Sequence, residues 1–342
     1  MELNKLDINR TKTLIDAAKT ISIVTHFNPD ADGVGSSVAL YHFLKRQNKD
    51  VQVVMPNPFP SFIDSFVKDV DMIYASKETK KARVRLMESD IIFGIDFNMV
   101  HRVGNHIKDA LAESCAAKIY IDHHQEPDLA CETMFSFPDA CSASEVLAHL
   151  LIAISPDAID KTIADAIYIG LCTDTGSFSY NCNNAETYSL VAYLVSKGVC
   201  VDEVHQEIYS TFSENRLRLL GYAISEKLKV FPQYGAAYIC LSKEELRQYD
   251  FQPGDTEGLV NYCLNLKDIN FGCLVTEREK IVRLSFRSKK NTIDTNKFAR
   301  TYWNGGGHIM ASGGTFQGKL QPVINNLEAQ IKHLKDFSQQ SE

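Results

Sequence analysis

The chain has 342 residues, 44% of them hydrophobic and 23% charged, enough for two globular domains with substantial cores and too apolar for a disordered or fibrous protein. Its 36 basic and 43 acidic residues leave a net charge of −7, which argues against a non-specific binder of long DNA or of a membrane surface but is compatible with a small anion held at a local site. The nine cysteines form no C-x-x-C pair and are odd in number, so neither a structural zinc cluster nor a disulfide framework is indicated, and they read as reduced thiols of a cytoplasmic protein.

The opening stretch, MELNKLDINRTK, is polar and charged, and no apolar run approaches the ~20 residues of a membrane span. Five apolar runs follow: ISIVT (21–25), VQVVM (51–55), MIY (72–74), IIFGI (91–95) and KIYI (118–121), separated by stretches of helical periodicity. This alternation predicts an α/β fold, an N-terminal domain with a mainly parallel sheet flanked by helices. From about 142 to 218 the pattern is mostly helical, and the polar stretch around Ser213 to Arg216 is taken as the boundary, giving expected domains 1–212 and 213–342. Strands return in KLKVF, GAAYICLS, INFGCLVTE and KIVRLSFRS, followed by a short helix from Thr295, a glycine-rich segment and a last helix from Pro322, a smaller C-terminal α/β domain. No repeat of 20 to 50 residues is present, which excludes solenoids and propellers.

Ligands of open α/β sheets sit beyond the carboxyl ends of the strands, so the residues that follow each apolar run carry the functional information. ISIVT is followed by His26, Asp30 and Asp32; IIFGI by Asp96; KIYI by Asp122, His123 and His124; and Asp174 closes the run AIYIGLCT. Each has an ordinary reading by itself. Asp32-Gly33 is often a turn or helix cap, Asp96 a cap, Asp174 a paired buried acid, and adjacent histidines a strand end and a solvated ring. Those readings predict scatter, whereas the residues gather at one sheet edge. Carboxylates converging there repel one another unless cations sit among them, and two divalent ions are the simplest answer. With the loop after His26 extended, Asp30 and Asp32 point to the same side roughly 6–7 Å apart, able to hold one ion each, with Asp96 bridging. Imidazole and carboxylate without thiolate favours Mn2+, tolerates Mg2+ or Co2+, and disfavours structural zinc.

These residues resemble the DHH phosphoesterase superfamily, through HFNPDADGVGSS (26–37), GIDFN (94–98), IDHHQ (121–125) and CTDTGSF (172–178) in order. LSFRSKKNTIDTNKFA (284–299) and NGGGHIMASGG (304–314) are similar to the DHH-associated domain. The likeness is greatest to the branch of bifunctional oligoribonucleases and pAp phosphatases, the nanoRNases. It implies that one metal binds His26, Asp30 and Asp96 and the other Asp32, Asp96, His123 and Asp174. It further implies that Asp122 fixes a histidine ring, that His124 faces the scissile phosphate, and that Arg287 and His308, with the backbone of Gly306 and Gly307, hold the substrate. The basic stretch from Lys280 to Leu320, eight cations against Asp294 alone, fits that role. Tyr302 and Trp303 are candidates for base stacking, with core packing the expected role of at least one. Two positions depart from the family pattern: Asn304 stands where another glycine is frequent, and Met310-Ala311-Ser312 replaces Asn-Ala-Ala.

The implied activity is the degradation of very short RNA to 5′-mononucleotides and of pAp to AMP, in the cytoplasm, with no long DNA and no membrane as partner. A homodimer is left open. The alternatives are a phosphodiesterase for pApA or cyclic di-AMP and, from another class, a metal-dependent nucleotide sensor without turnover.

Overall fold

A computed structural model describes residues 1–339 of the chain, which divide into two compact units, Met1–Thr211 and the residues from Phe212 onward. The first unit opens with helix α1 (Lys5–Ala17) and continues as β1 (Thr20–Thr25), α2 (Ala31–Lys45), β2 (Asp50–Met55), β3 (Met72–Tyr74), α3 (Thr79–Met87), β4 (Ile91–Ile95), α4 (Lys108–Glu113), β5 (Ala117–Asp122) and β6 (Thr133–Ser136). Four helices complete it: α5 (Ala143–Ile154), α6 (Lys161–Asp174), α7 (Ala185–Ser196) and α8 (Val201–Tyr209). The six strands form one sheet in the order β3-β2-β1-β4-β5-β6, every pairing parallel.

The strands are continuously apolar because both faces of this sheet are covered. Ile21, Ile23, Phe93 and Ile121 pack into a core with α2, α5 and α6, while Val24, Ile92, Phe97 and Tyr120 turn to the opposite face against α3 and α4. The chain reverses its direction of progress across the sheet between β1 and β4, so their carboxyl ends flank a crevice. Strand β6 and helix α1 lie outside the sequence reading. The strand is a four-residue edge with two polar positions, and the helix buries only Thr11 and Ile15.

The second unit contains α9 (Glu214–Glu226), β7 (Leu228–Phe231), β8 (Ala236–Leu241), α10 (Lys243–Gln248), α11 (Asn261–Leu264), β9 (Phe271–Glu277), β10 (Ile281–Ser288), α12 (Thr295–Tyr302), β11 (Gly306–Gly307), β12 (Ala311–Gln317) and α13 (Leu320–Ile331). Its sheet runs β11-β12-β10-β9-β8-β7, antiparallel except for the β8–β9 pair. One face packs on α12 and α13 through Val282, Leu284, Phe286, Phe298 and Trp303; the other, over β8 and β9, packs on α9, α10 and α11. Trp303 is fully buried in this core, and Tyr302 packs edge-on against Phe298 and Phe337, so the tryptophan is a core residue and not a stacking platform. Among the described residues no helix is long and apolar enough to cross a membrane.

Candidate metal centre

The first unit gathers eight of the singled-out side chains around the crevice, five of them delivered by three strand ends. His26 follows β1 directly. Asp96 follows β4 with a left-handed backbone (φ 62°), its N–H donating to the Ile121 carbonyl of the neighbouring strand at 2.9 Å. Asp122 ends β5, and His123 and His124 come next.

Asp30 and Asp32 reach the site differently from the expectation. The extended backbone does not run on past Asp30: Asp30 is the N-cap of α2, accepting from the N–H groups of Asp32 and Gly33 at 3.1 Å, and Asp32 lies in the helix's first turn. An Asp two residues ahead of Asp-Gly is a strong helix start, and capping outweighs the extended form. Asp174 occupies the last position of helix α6, within the stretch that the sequence reads as mostly helical.

The distances define two overlapping groups that share Asp96. Nε2 of His26 is 3.4 Å from Asp96 Oδ2 and 3.7 Å from Asp30 Oδ1. Nε2 of His123 is 3.5 Å from Asp96 Oδ1, 3.5 Å from Asp174 Oδ2 and 3.9 Å from Asp32 Oδ2. One ligand atom each from His26, Asp30 and Asp96, and one each from Asp32, Asp96 and His123, come within 4.8 Å of one another. His124 stands beside them, its Nδ1 donating to Asp122 Oδ1 at 2.7 Å, since a carboxylate only accepts.

The electrostatics are those of a site short of positive charge. Burial, then the charges of Asp96 and Asp174, push the Asp32 carboxyl well above its ordinary range. Burial opposes ionisation of Asp96 too, but His123 and His26 outweigh it and hold that carboxyl well below the usual value. His26 is pulled down by burial and pushed up more strongly by Asp30 and Asp96, to about 10. Meanwhile His26 Nε2 and Asp96 Oδ1 are buried without a hydrogen-bond partner. Orphaned donor and acceptor atoms of this kind are rare in protein interiors. Together with clustered acids and imidazoles, they fit divalent cations, and the set contains no thiolate.

One set of supporting groups was not singled out from sequence. The N–H groups of Ala143 and Ser144, at the start of α5, donate to Asp32 Oδ2 and Oδ1 at 2.7 and 3.0 Å. A helix N-terminus thus anchors this carboxylate. Its signal was the S-x-x-E start at Ser142 and Glu145, where Ser142 caps the helix.

The substrate-binding candidates all lie in the second unit. Arg287 is on β10, its Nη1 donating to the Phe286 carbonyl at 3.0 Å. Gly306 and Gly307 form β11, and His308 follows, its N–H donating to the Ala311 carbonyl at 2.7 Å. The glycine run has a packing reason: a Cβ on Gly305 would stand 1.9 Å from the Gly313 carbonyl oxygen, and one on Gly307 2.6 Å from that of Ala311. Asn304 has a φ of 45°, a left-handed conformation asparagine adopts more readily than most residues, so the departure from glycine leaves the turn intact. Ser312 Oγ donates to the Thr295 carbonyl at 2.7 Å, tying β12 to α12.

Residues 20–171 match the DHH family N-terminal domain and residues 233–340 the DHHA1 domain. The chain is 27% identical over 333 residues to the bifunctional oligoribonuclease and PAP phosphatase NrnA of Bacillus subtilis, covering 96% of this chain and 99% of that protein. A probable NrnA of Streptococcus mutans is 26% identical over 87% of this chain and 90% of its own length. Among solved structures, an exopolyphosphatase-related protein from Bacteroides fragilis superposes with a TM-score of 0.92 at 37% identity, over 98% of this chain and 99% of that one. With the paired domains and this chain's His/Asp centre in view, the chain belongs to the DHH family of metal-dependent phosphoesterases, its DHH domain followed by DHHA1.

Proposed function

We propose that the chain is a manganese-dependent hydrolase that cuts very short RNA into 5′-mononucleotides and removes the 3′-phosphate of pAp. The observation that carries this reading is the shared position of Asp96, within 3.4–3.5 Å of both His26 and His123. One ion is assigned to His26, Asp30 and Asp96 and the other to Asp32, Asp96, His123 and Asp174. Two ions so held supply Lewis-acid activation of water and of the phosphoryl group.

The chain's own residues do the rest. Asp122 holds the His124 ring with Nδ1–H toward itself, which turns Nε2 outward to donate to the phosphoryl oxygen or to the leaving oxygen. Both substrates are 3′-phosphoesters: water adds to phosphorus, the P–O3′ bond breaks, and the 3′ oxygen takes a proton. One centre therefore serves the diester and the monoester. Arg287 and His308 are assigned to the nucleotide and its phosphate. The names of the Bacillus and Streptococcus relatives support the choice of substrates.

The test is product analysis with Mn2+ on 5′-labelled RNA from about two to 24 nucleotides, beside pAp and cyclic di-AMP. We expect kcat/KM to peak at roughly two to five nucleotides, because a protein of net charge −7 offers longer strands no extended basic track. Equal degradation of the longest RNA would make it a long-strand exonuclease. Preference for cyclic di-AMP would make it a signalling-dinucleotide phosphodiesterase, and binding without turnover a sensor.

A further inference from the structure

Successive residues of β10 alternate across its sheet. Val282, Leu284 and Phe286 enter the core shared with α12 and α13, which turns Arg283, Ser285 and Arg287 to the other face. On that face the second helical layer covers β8 and β9. Beyond it, Arg283, Ser285 and Arg287 pair with Thr315, Gly313 and Ala311 of β12, and all six are at least partly exposed. Two arginines thus stand on an open strip whose remaining residues are small, with no bulky side chain to block close approach to the backbone.

Arg283 makes no hydrogen bond or ion pair among the described residues. The nearest acids along the chain are already engaged: Glu277 accepts from the Lys243 N–H at 3.1 Å, and Glu279 is paired with Lys243 and Arg247. Its electrostatic neighbour is another cation. Arg278, from the β9–β10 turn, lies over the Phe251 ring at 4.1 Å, and after burial the charge of Arg283 is what lowers its pKa. Two neighbouring guanidinium groups without a carboxylate repel each other, and an anion between them removes the repulsion. Guanidinium matches phosphate in geometry, and arginine is the usual choice for that ligand.

We propose that Arg283, backed by Arg278, binds a phosphate of the RNA distal to the one held at Arg287. The two arginines are four residue steps apart along the strand, about 13 Å, a span on the order of two phosphodiester steps. The strip would therefore hold the tail of a substrate of three or more nucleotides, and pAp would not reach it. This assignment rests on the reading of the chain as a hydrolase of short RNA.

The experiment compares wild type with Arg283→Ala on pAp and on a five-nucleotide RNA, the latter also with single uncharged methylphosphonate linkages placed distal to the scissile one. We expect R283A to lower kcat/KM on the pentanucleotide about tenfold, far more than on pAp, and to flatten its salt dependence by about 0.7 in log–log slope, the share of one single-strand phosphate contact. A distal methylphosphonate should cost wild type a similar factor and R283A almost nothing, because both changes remove the same contact. The cost of the methylphosphonate in wild type is read with no change to the protein, so that measurement is independent of any effect of R283A on folding. Equal losses on pAp and pentanucleotide, or a methylphosphonate cost identical in the two proteins, would overturn the proposal. Failure of wild type to cleave the pentanucleotide at all would instead overturn the underlying reading.

Discussion

Nε2 of His26 and Oδ2 of Asp96 lie 3.4 Å apart at the ends of two adjacent parallel strands, and the imidazole nitrogen makes no hydrogen bond there. The two side chains follow neighbouring strands, so the sheet sets their separation, an arrangement suited to sharing a cation.

This has a consequence for protons. With its pKa raised to about 10 by Asp30 and Asp96 against the opposing effect of burial, His26 is protonated at neutral pH in the metal-free protein, and ligation requires the neutral ring. Metal binding at about pH 7.5 should release about one proton or more per chain. Since protons compete with the cation, apparent affinity should rise with pH, about tenfold per unit for each proton released, until the pH nears 10. Calorimetry in buffers of different ionisation enthalpy reads the proton count directly. A binding enthalpy independent of buffer would remove His26 from the ligand set.

Helices α2 and α6 meet with almost no space between them, and Gly170 is where the contact touches the metal centre. A Cβ there would lie 1.9 Å from Ser144 Oγ and 2.7 Å from Asp32 Oδ1. Gly170→Ala should displace the Asp32 carboxylate and lower kcat on the order of tenfold to a hundredfold, as small misplacements of reacting groups do. Gly221 in α9 has open space around its Cα, so Gly221→Ala should leave kcat unchanged and hold or raise the melting temperature. Equal kcat in G170A and wild type would show that the site tolerates movement of Asp32.

The second unit carries its own pH dependence. Glu245 is opposed by burial but held ionised by Lys227 Nζ at 2.6 Å, Tyr222 OH at 2.7 Å and the Ser242 N–H at 2.7 Å, which bring its pKa down to about 2. A carboxylate depressed on folding contributes stability that is complete above its unfolded value of about 4.5 and is lost as pH falls toward about 2. Glu245→Gln should cost about 1–2 kcal/mol at neutral pH, allowing for partial exposure, and should flatten the acid limb of the stability curve in that window. Circular dichroism melts between about pH 2 and 6 would check it. An unchanged acid limb in E245Q would contradict the assignment.

Much of the first unit was legible because a doubly covered parallel sheet demands unbroken β-branched runs, and the acids and histidines follow those runs directly. Asp96, Asp122, His123 and His124 were therefore placed by the sequence pattern. Asp30 and Asp32 were singled out as site candidates but given the wrong local form, since the same Asp-x-Asp-Gly text serves an extended loop and a capped helix. Helix α6 lies in the stretch that read as mostly helical, and Asp174 stood out as the acid that closes its apolar run. The anchoring of Asp32 by α5 was invisible, because Ala143 and Ser144 act through backbone N–H groups 111 and 112 residues away. Arg283 stood out from sequence only as one of eight cations, because its unpartnered state depends on which acids the fold gives to Lys243 and Arg247.

The most direct test of the account is the metal content and turnover of Asp96→Asn. Asparagine keeps the side chain's size and tolerates the left-handed backbone at this position (φ 62°), so the fold should survive while the charge shared by both groups is lost. Wild type should carry two Mn2+ per chain by elemental analysis and native mass spectrometry; D96N should carry fewer and lose about a hundredfold or more in kcat on pAp and on dinucleotides. A folded D96N that retained both ions and more than about a tenth of wild-type kcat would contradict the bridging role of Asp96 and the two-ion centre built on it.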